Sequence, residues 1–302
     1  MGRAKLFGAG RYISCYLLLL PTYVLVSVFS FVPFIWAFSK SFYRYEVGGE
    51  SEFIGFANYL EYFSDPTFGP SFYHMGFLTA FAVVVGIVVP LIVAKLIFSL
   101  RSEKLKHIYR LLFLAPIVVP RVAVLMIWRF MIYDDGGMIN EFLRVLRLGE
   151  MATGWLFNPT TALWAVAFIG FPFASGIHIL IFYAGLCNIP ESVHEAALLD
   201  GATGARKFLT VDVPLVLSQI KLLVILTIIS WVQGFEWILI VTQGFPGYKT
   251  MVPGLWMYYN AFSFQRMGYA CSIGVILFLV ILVLTVLNLR YFKSAESVQG
   301  VG

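Results

Sequence analysis

Charge is what this sequence has least of. Only 12% of its 302 residues are Asp, Glu, Lys or Arg, against about a quarter in soluble globular chains. So sparse a set of charges excludes a soluble domain of this size. Cysteine is scarce too: Cys15, Cys187 and Cys271 are an odd, scattered set. Their spacing excludes a disulfide framework or a metal site and leaves three small packing residues. Four histidines are equally dispersed, and no H-E-x-x-H is present, which removes a zinc-hydrolase pattern. Without a Walker A glycine loop or a G-x-S-x-G, no motif equips the chain to hydrolyse ATP or to use a serine nucleophile. Nor is there a cluster of His, Asp and Glu of the kind an integral-membrane enzyme needs. The formal charge of +5 does not point to nucleic acid, because no basic patch is interleaved with aromatics. No internal repeat or low-complexity linker divides residues 1–302, which read as one domain.

What the chain has is apolar length. Hydrophobic residues make up 60% of it, and the mean hydropathy is +0.86. A bilayer core takes runs of about twenty apolar residues. Six are read: Tyr12–Phe38, Phe72–Leu100, Leu111–Ile132, Thr161–Leu186, Gln219–Thr242 and Tyr269–Leu289. The first is too long for a cleavable signal and no small-residue cleavage site follows it. The expected fold is therefore all-α, a polytopic membrane protein with six transmembrane helices. Basic residues gather in alternate loops: Arg3, Lys5 and Arg11; Arg101, Lys104, Lys106 and Arg110; Arg206, Lys207 and Lys221; Arg290 and Lys293. The intervening loops are acidic, with Glu46, Glu50, Glu52, Glu61 and Asp65 in one, and Asp134, Asp135, Glu141 and Glu150 in another. By the positive-inside rule both termini face the cytoplasm, and so does the loop between the fourth and fifth runs.

That loop carries the most specific pattern in the chain. Glu195, Ala196 and Ala197 open it, Asp200, Gly201 and Ala202 follow, and Phe208, Pro214 and Leu215 close it. Alanines and leucines favour a short helix with Glu195 in its first turn, and Gly201 and Gly204 end it. The spacing E-A-A-x-x-D-G-A-x5-F-x5-P-L resembles the EAA loop of ABC importer permeases. In that family the loop, here about 190–215, forms a coupling helix docked in a cleft of an ATPase subunit. The resemblance extends along nearly the whole chain. Phe53-Ile-Gly-Phe-Ala-Asn-Tyr59 is similar to the F-x-G-x-x-N-Y segment of sugar permeases, and Met267-Gly-Tyr-Ala270 to the G-Y-A that opens the last span. Ile189-Pro190 precedes the loop as it does in relatives. The pattern points to the carbohydrate branch, and within it to a subunit like the first permease of maltose-type importers. A long periplasmic insertion of some members is absent, and Ser218 stands where many have a second proline.

The resemblance implies a type I importer fold, its core at about 72–293, in a bacterial or archaeal plasma membrane. It implies a second homologous permease subunit, two cytoplasmic ATPase subunits and an extracytoplasmic binding protein. ATP and magnesium would be bound by the ATPases, with no cofactor in this chain. The expected cargo is a carbohydrate. A glycerol-phosphate importer stays open within the class, and an ion-coupled secondary carrier or a membrane enzyme outside it.

Polar groups within spans mark candidate path residues, since they are costly in hydrocarbon. Gln233 and Glu236 lie three apart in the fifth run, flanked by Trp231 and Trp237. On one helix they would share a face, and Val232-Gln-Gly-Phe-Glu-Trp237 aligns with the family's F-Q-V-F-D stretch near the path. Amide, carboxylate and aromatic faces suit a sugar; helix-helix hydrogen bonding is the competing role. His178, where relatives commonly carry Asn, either lines the same cavity or satisfies a backbone carbonyl. Pro172 would loosen the fourth helix, and Gly170 and Gly176 would let helices approach. Arg121 follows Pro120 in mid-span, where sugar permeases usually have an uncharged residue. It must pair or face water. An ion pair with Glu236, a group of the second permease and an anionic substrate group are the partners considered. Lys95 and Arg129 can instead snorkel to span ends.

Overall fold

In a computed structural model, residues 7–46, 48–49, 51–171 and 175–291 are described. They fall into two compact units, one from the residues up to Ser64 with Met257–Ile276, the other from Asp65–Trp256 with the residues from Leu277 onward.

The first unit opens with α1 (Phe7–Val26), a π-helical turn Ser27–Phe31 and α2 (Val32–Lys40). Together they give a 26-residue span, Cys15–Lys40, none of whose most apolar window is buried inside the chain. A helix apolar on every side is a membrane element whose cover comes from lipid or neighbouring chains. A two-stranded antiparallel hairpin follows, β1 (Tyr43–Tyr45) with β2 (Ser51–Phe53), then α3 (Ala57–Ser64). The F-x-G-x-x-N-Y residues build this corner. Gly55 takes φ +59°, and buried Asn58 donates from Nδ2 to the carbonyls of Ser41 (2.8 Å) and Tyr43 (3.0 Å). The hydroxyls of Tyr59 and Ser41 are 2.6 Å apart. The G-Y-A residues meet the same hairpin. A Cβ on Gly268 would collide with the Tyr43 carbonyl, and Tyr269 stacks edge-on to Tyr62.

The second unit is organised by α4 (Phe68–Phe98), a 31-residue helix. Helices α5 (Glu103–Leu114), α6 (Arg121–Ile127), α7 (Met138–Val145), α8 (Ala162–Ala167) and α9 (Gly176–Cys187) follow it. Then come α10 (Glu191–Leu199), α11 (Gly204–Lys207), α12 (Val213–Leu215), α13 (Leu217–Gln233) and α14 (Glu236–Val241). Short α15 (Pro253–Tyr258) leads to the last span, within α16 (Met267–Tyr291). The core lies where α4, α9 and α13 pack, with Ala94, Ile179, Phe182, Leu186, Val216 and Leu223 nearly free of solvent. Two glycines let α9 come close to its neighbours, Gly176 to α5 and Gly185 to α13. A Cβ on Gly176 would strike the Phe113 carbonyl, and one on Gly185 would sit 3.0 Å from Gln219.

Among the described residues, three helices are long and apolar enough to cross a membrane alone, and up to six spans result if each of three bent pairs counts as one. The breaks correct the sequence reading. The third run begins earlier than expected, at Glu103, and bends by 88° at Val119–Pro120. A 3-10 turn, Ala115–Val118, precedes that bend, and proline donates no N–H and disfavours helix at the residue before it. The fourth run is not one helix: α8 ends at Ala167, Gly170 takes φ +87°, and α9 restarts at Gly176. Pro172 lies outside the described residues. The fifth run is divided between α13 and α14, with Gly234 extended at the break.

Candidate coupling loop and translocation path

Helix α10 leaves α9 at a bend of 74°. Pro190 caps it and Glu191 occupies its first turn; Glu195 is one turn further on than expected. Its end is a Schellman closure. The Gly201 N–H donates to the Leu198 carbonyl (3.0 Å) and the Ala202 N–H to that of Ala197 (2.8 Å). Gly201 takes φ +74° with open space where a Cβ would stand. The left-handed backbone, not crowding, is what requires glycine there. The motif residues divide by burial. Ala197 and Ala202 are buried, 7% and 8% exposed, and hold the helix down. Glu195, Ala196, Asp200 and Gly201 are exposed, and beside them Leu199 is 90% and Leu198 54% exposed. A pair of bare leucines on a polar helix offers a small apolar face for another protein.

Beneath α10 lies a group that motif reading missed. Asp212 ends the π-helical turn Phe208–Asp212 and is completely buried. Its Oδ2 is 2.5 Å from Lys95 Nζ, and its Oδ1 is 3.9 Å from His194 Nδ1. Lys95 therefore pairs inside the protein and does not snorkel. Its ammonium also lies 5.3 Å from the centre of the Phe98 ring, which stands 5.9 Å from the His194 ring. Burial, and secondarily the Lys207 charge, holds the His194 imidazole below its ordinary pKa. The available sequence signal was an acid in an otherwise apolar Val211-Asp212-Val213-Pro214.

Four of the path candidates, Trp231, Gln233, Glu236 and Trp237, lie at the other break. Gln233 is the last residue of α13 and Glu236 the first of α14. They do not share one helix face, as a continuous helix would have required, but both are exposed beside the Gly234–Phe235 gap. The Glu236 carboxylate accepts from the Phe235 N–H at 3.2 Å. Trp237 is buried and Trp231 half-buried, their rings edge to face at 4.7 Å, so they brace the break. A Cβ on Gly234 would lie 2.8 Å from the Ser230 carbonyl and 3.1 Å from Trp237 Nε1. Helix α6 packs on α14. Arg129 does not snorkel either; its Nη1 donates to the Ile240 carbonyl at 2.5 Å. Arg121, the first residue of α6, is exposed and makes no ion pair or hydrogen bond among the described residues. The Arg121–Glu236 pair is not formed. His178 is half-buried with Nδ1 2.8 Å from the Gly86 carbonyl in α4, the packing role weighed against a cavity role. Elsewhere, a cavity of about 540 Å³ is lined by Trp128, Tyr133, Trp155, Trp164, Phe168 and Phe171 among others, and includes none of the path candidates.

A family described as binding-protein-dependent transport system inner membrane component matches residues 86–294. The arabinooligosaccharides transport system permease protein AraP of Bacillus subtilis is 29% identical, over 95% of this chain and 90% of its own. The sulfoquinovosyl glycerol transport system permease protein SmoG of Agrobacterium fabrum is 29% identical, over 93% and 90%. The trehalose/maltose transport system permease protein MalF of Thermococcus litoralis is 28% identical, over 91% and 92%. Among solved structures, a chain of a bacterial ABC transporter involved in the import of the acidic polysaccharide alginate superposes with a TM-score of 0.80. It covers 94% of this chain and 98% of that one, at 20% identity, a likeness of fold.

Proposed function

Since the chain belongs to the family of binding-protein-dependent transport inner membrane components, the permease subunits of ABC importers, we propose that it forms half of the path for a carbohydrate, an oligosaccharide in particular. The observation that carries this reading is the loop Glu195–Ala202, a polar helix with a bare leucine face, anchored by two buried alanines. A loop of that design has no use in lipid and suits a cleft of a cytoplasmic ATPase. The substrate class is drawn from AraP, SmoG and MalF, whose names carry sugars or a sugar glycerol. In this reading a second, homologous permease completes the path, and an extracytoplasmic binding protein delivers substrate. Two ATPase subunits hold ATP and magnesium. Both termini and α10 lie on the cytoplasmic side of a bacterial or archaeal plasma membrane. ATP binding closes the ATPases, moves the docked α10 and rocks the permeases outward; hydrolysis returns them. Gln233 and Glu236, exposed at the α13–α14 break, donate and accept hydrogen bonds along the path. Trp231 and Trp237 hold that break open, His178 fixes α9 against α4, and Arg121 faces the second permease, water or the substrate.

The test is uptake of a panel of labelled oligosaccharides by the complete complex in proteoliposomes. ATP-dependent, vanadate-sensitive uptake of at least one glycan, requiring the binding protein, is expected. Uptake that ignores vanadate and collapses with a protonophore would favour a secondary carrier and defeat the proposal.

A further inference from the structure

The buried carboxylate under the coupling loop has no part in the motif or in the path. Asp212 is 0% exposed and sits on the segment that returns from α10 and α11 toward α13. Three separate stretches of chain meet at it. Lys95 comes from the last turn of α4, 2.5 Å from Oδ2. His194 comes from α10, 3.9 Å from Oδ1. Neither ring nitrogen of His194 has a hydrogen-bond partner among the described residues, so the ring stands against the carboxylate by packing alone. Phe98, one turn beyond Lys95 at the end of α4, contacts both the Lys95 ammonium and the His194 ring. Helix α10 is otherwise held by small or half-buried apolar groups, Val193 against the core among them. Its own buried side chain is Ala197, too small for a deep apolar seat. An apolar contact between such small groups can slide at little cost. The Lys95–Asp212 ion pair, which holds the returning segment to α4, cannot, because separating it strands a charge away from water; α10 leans on that pair through the His194 ring.

We propose that Lys95, Asp212 and His194 form a buried clasp that makes α10 move as one body with the C-terminal end of α4. Asp212 is then a positioning residue for the coupling of ATP hydrolysis to transport, and it acts through Lys95 and α10. The proposal rests on the reading that α10 docks on an ATPase. Force applied at the exposed Leu198–Leu199 face enters the membrane part through α4, the helix that α9 and α13 both pack on. Rocking by rigid-body motion needs a stiff attachment at the point where force enters. Loosening it lets hydrolysis proceed without moving the path.

The experiment uses the full complex in nanodiscs and proteoliposomes, with ATP hydrolysis and glycan uptake measured on the same preparation. Spin labels at Ser192 on α10 and Arg101 beyond α4, both exposed, report how firmly the two move together. Asp212→Asn is expected to assemble, to hydrolyse ATP, and to lose uptake per ATP by roughly fivefold or more, in the range of ordinary coupling energies. Its label-to-label distance distribution should broaden. Lys95→Arg, which keeps the pair, should stay near wild type. If Asp212→Asn does not assemble, Asp212→Asn with Lys95→Gln strands no charge and carries the same expectation. Wild-type uptake per ATP and a wild-type distance distribution in either variant would overturn the clasp. Leu199→Asp separates this from the docking reading. If it uncouples while Asp212 variants do not, the clasp alone is wrong; if Leu199→Asp changes nothing, docking through α10 fails and the clasp with it.

Discussion

Single residues differ in what their substitution tests, and Gly201 and His194 show how. Gly201 is required by its φ of +74°, since nothing lies within 4 Å of the place a Cβ would take. A β-branched side chain in that region costs on the order of 1–2 kcal/mol, whereas Asn tolerates it. Gly201→Val should therefore unseat the Schellman closure and reduce substrate-stimulated ATPase and uptake, while Gly201→Asn stays close to wild type. Equal behaviour of the two would mean that the left-handed turn is not what matters. His194 is held neutral by burial, and by Lys207 from α11 and Lys95 from α4; Asp212 and Glu191 oppose that shift. A depressed histidine supports the folded arrangement fully above its ordinary pKa of about 6.5. That support is lost as pH falls from there through the depressed value. Uptake per ATP should fall on the acid side for wild type, and the limb should flatten in His194→Gln. An unchanged acid limb in that variant would assign the pH dependence to another group.

Elements were legible in the sequence as apolar lengths, but their directions were not. Hydropathy counts how much of a run suits lipid and says nothing of whether its axis is straight. The runs of α4 and α16 met the expectation because both stay helical, even through Pro90 in α4. The third and fifth runs contained their own signals, Pro120 and Gly234, yet only the structure shows an 88° bend at the one and a helix break at the other. Motifs fared better at naming residues than at explaining them. The Asn58 and Gly268 patterns were read as separate signatures; in the structure both serve the Tyr43–Tyr45 strand. The acid at Asp212 stood out in an apolar stretch, but its pairing was not legible because its partners, Lys95 and His194, belong to other elements. Asn58→Ala removes two hydrogen bonds to the Ser41 and Tyr43 carbonyls, a loss of about 1–3 kcal/mol for a buried group. Faster hydrogen exchange in residues 41–53, with exchange in α9 unaltered, is the expected result. Protection equal to wild type would mean that the hairpin is held by its own ladder.

At the scale of the whole molecule, what stays uncovered is as informative as what is packed. The span Cys15–Lys40 buries nothing of its apolar window, and Arg121 finds no partner among the described residues. Both suit a chain completed by another subunit and by lipid. Because Arg121 and Glu236 do not pair, their neutralising substitutions should not rescue each other. Arg121→Met and Glu236→Gln are expected to change the unfolding free energy of the complex additively, within about 0.5 kcal/mol; mutual rescue would restore the ion-pair alternative. The path itself is then tested at the α13–α14 break. Gln233 and Glu236 are exposed there while Trp231 and Trp237 hold the break from within, so truncating the polar pair removes contacts to a passing hydroxylated substrate without removing the brace. Gln233→Ala and Glu236→Ala should each assemble and each weaken uptake by roughly 1–3 kcal/mol of lost hydrogen bonding, with the double variant weaker than either. Full uptake in all three would move the sugar path away from this break.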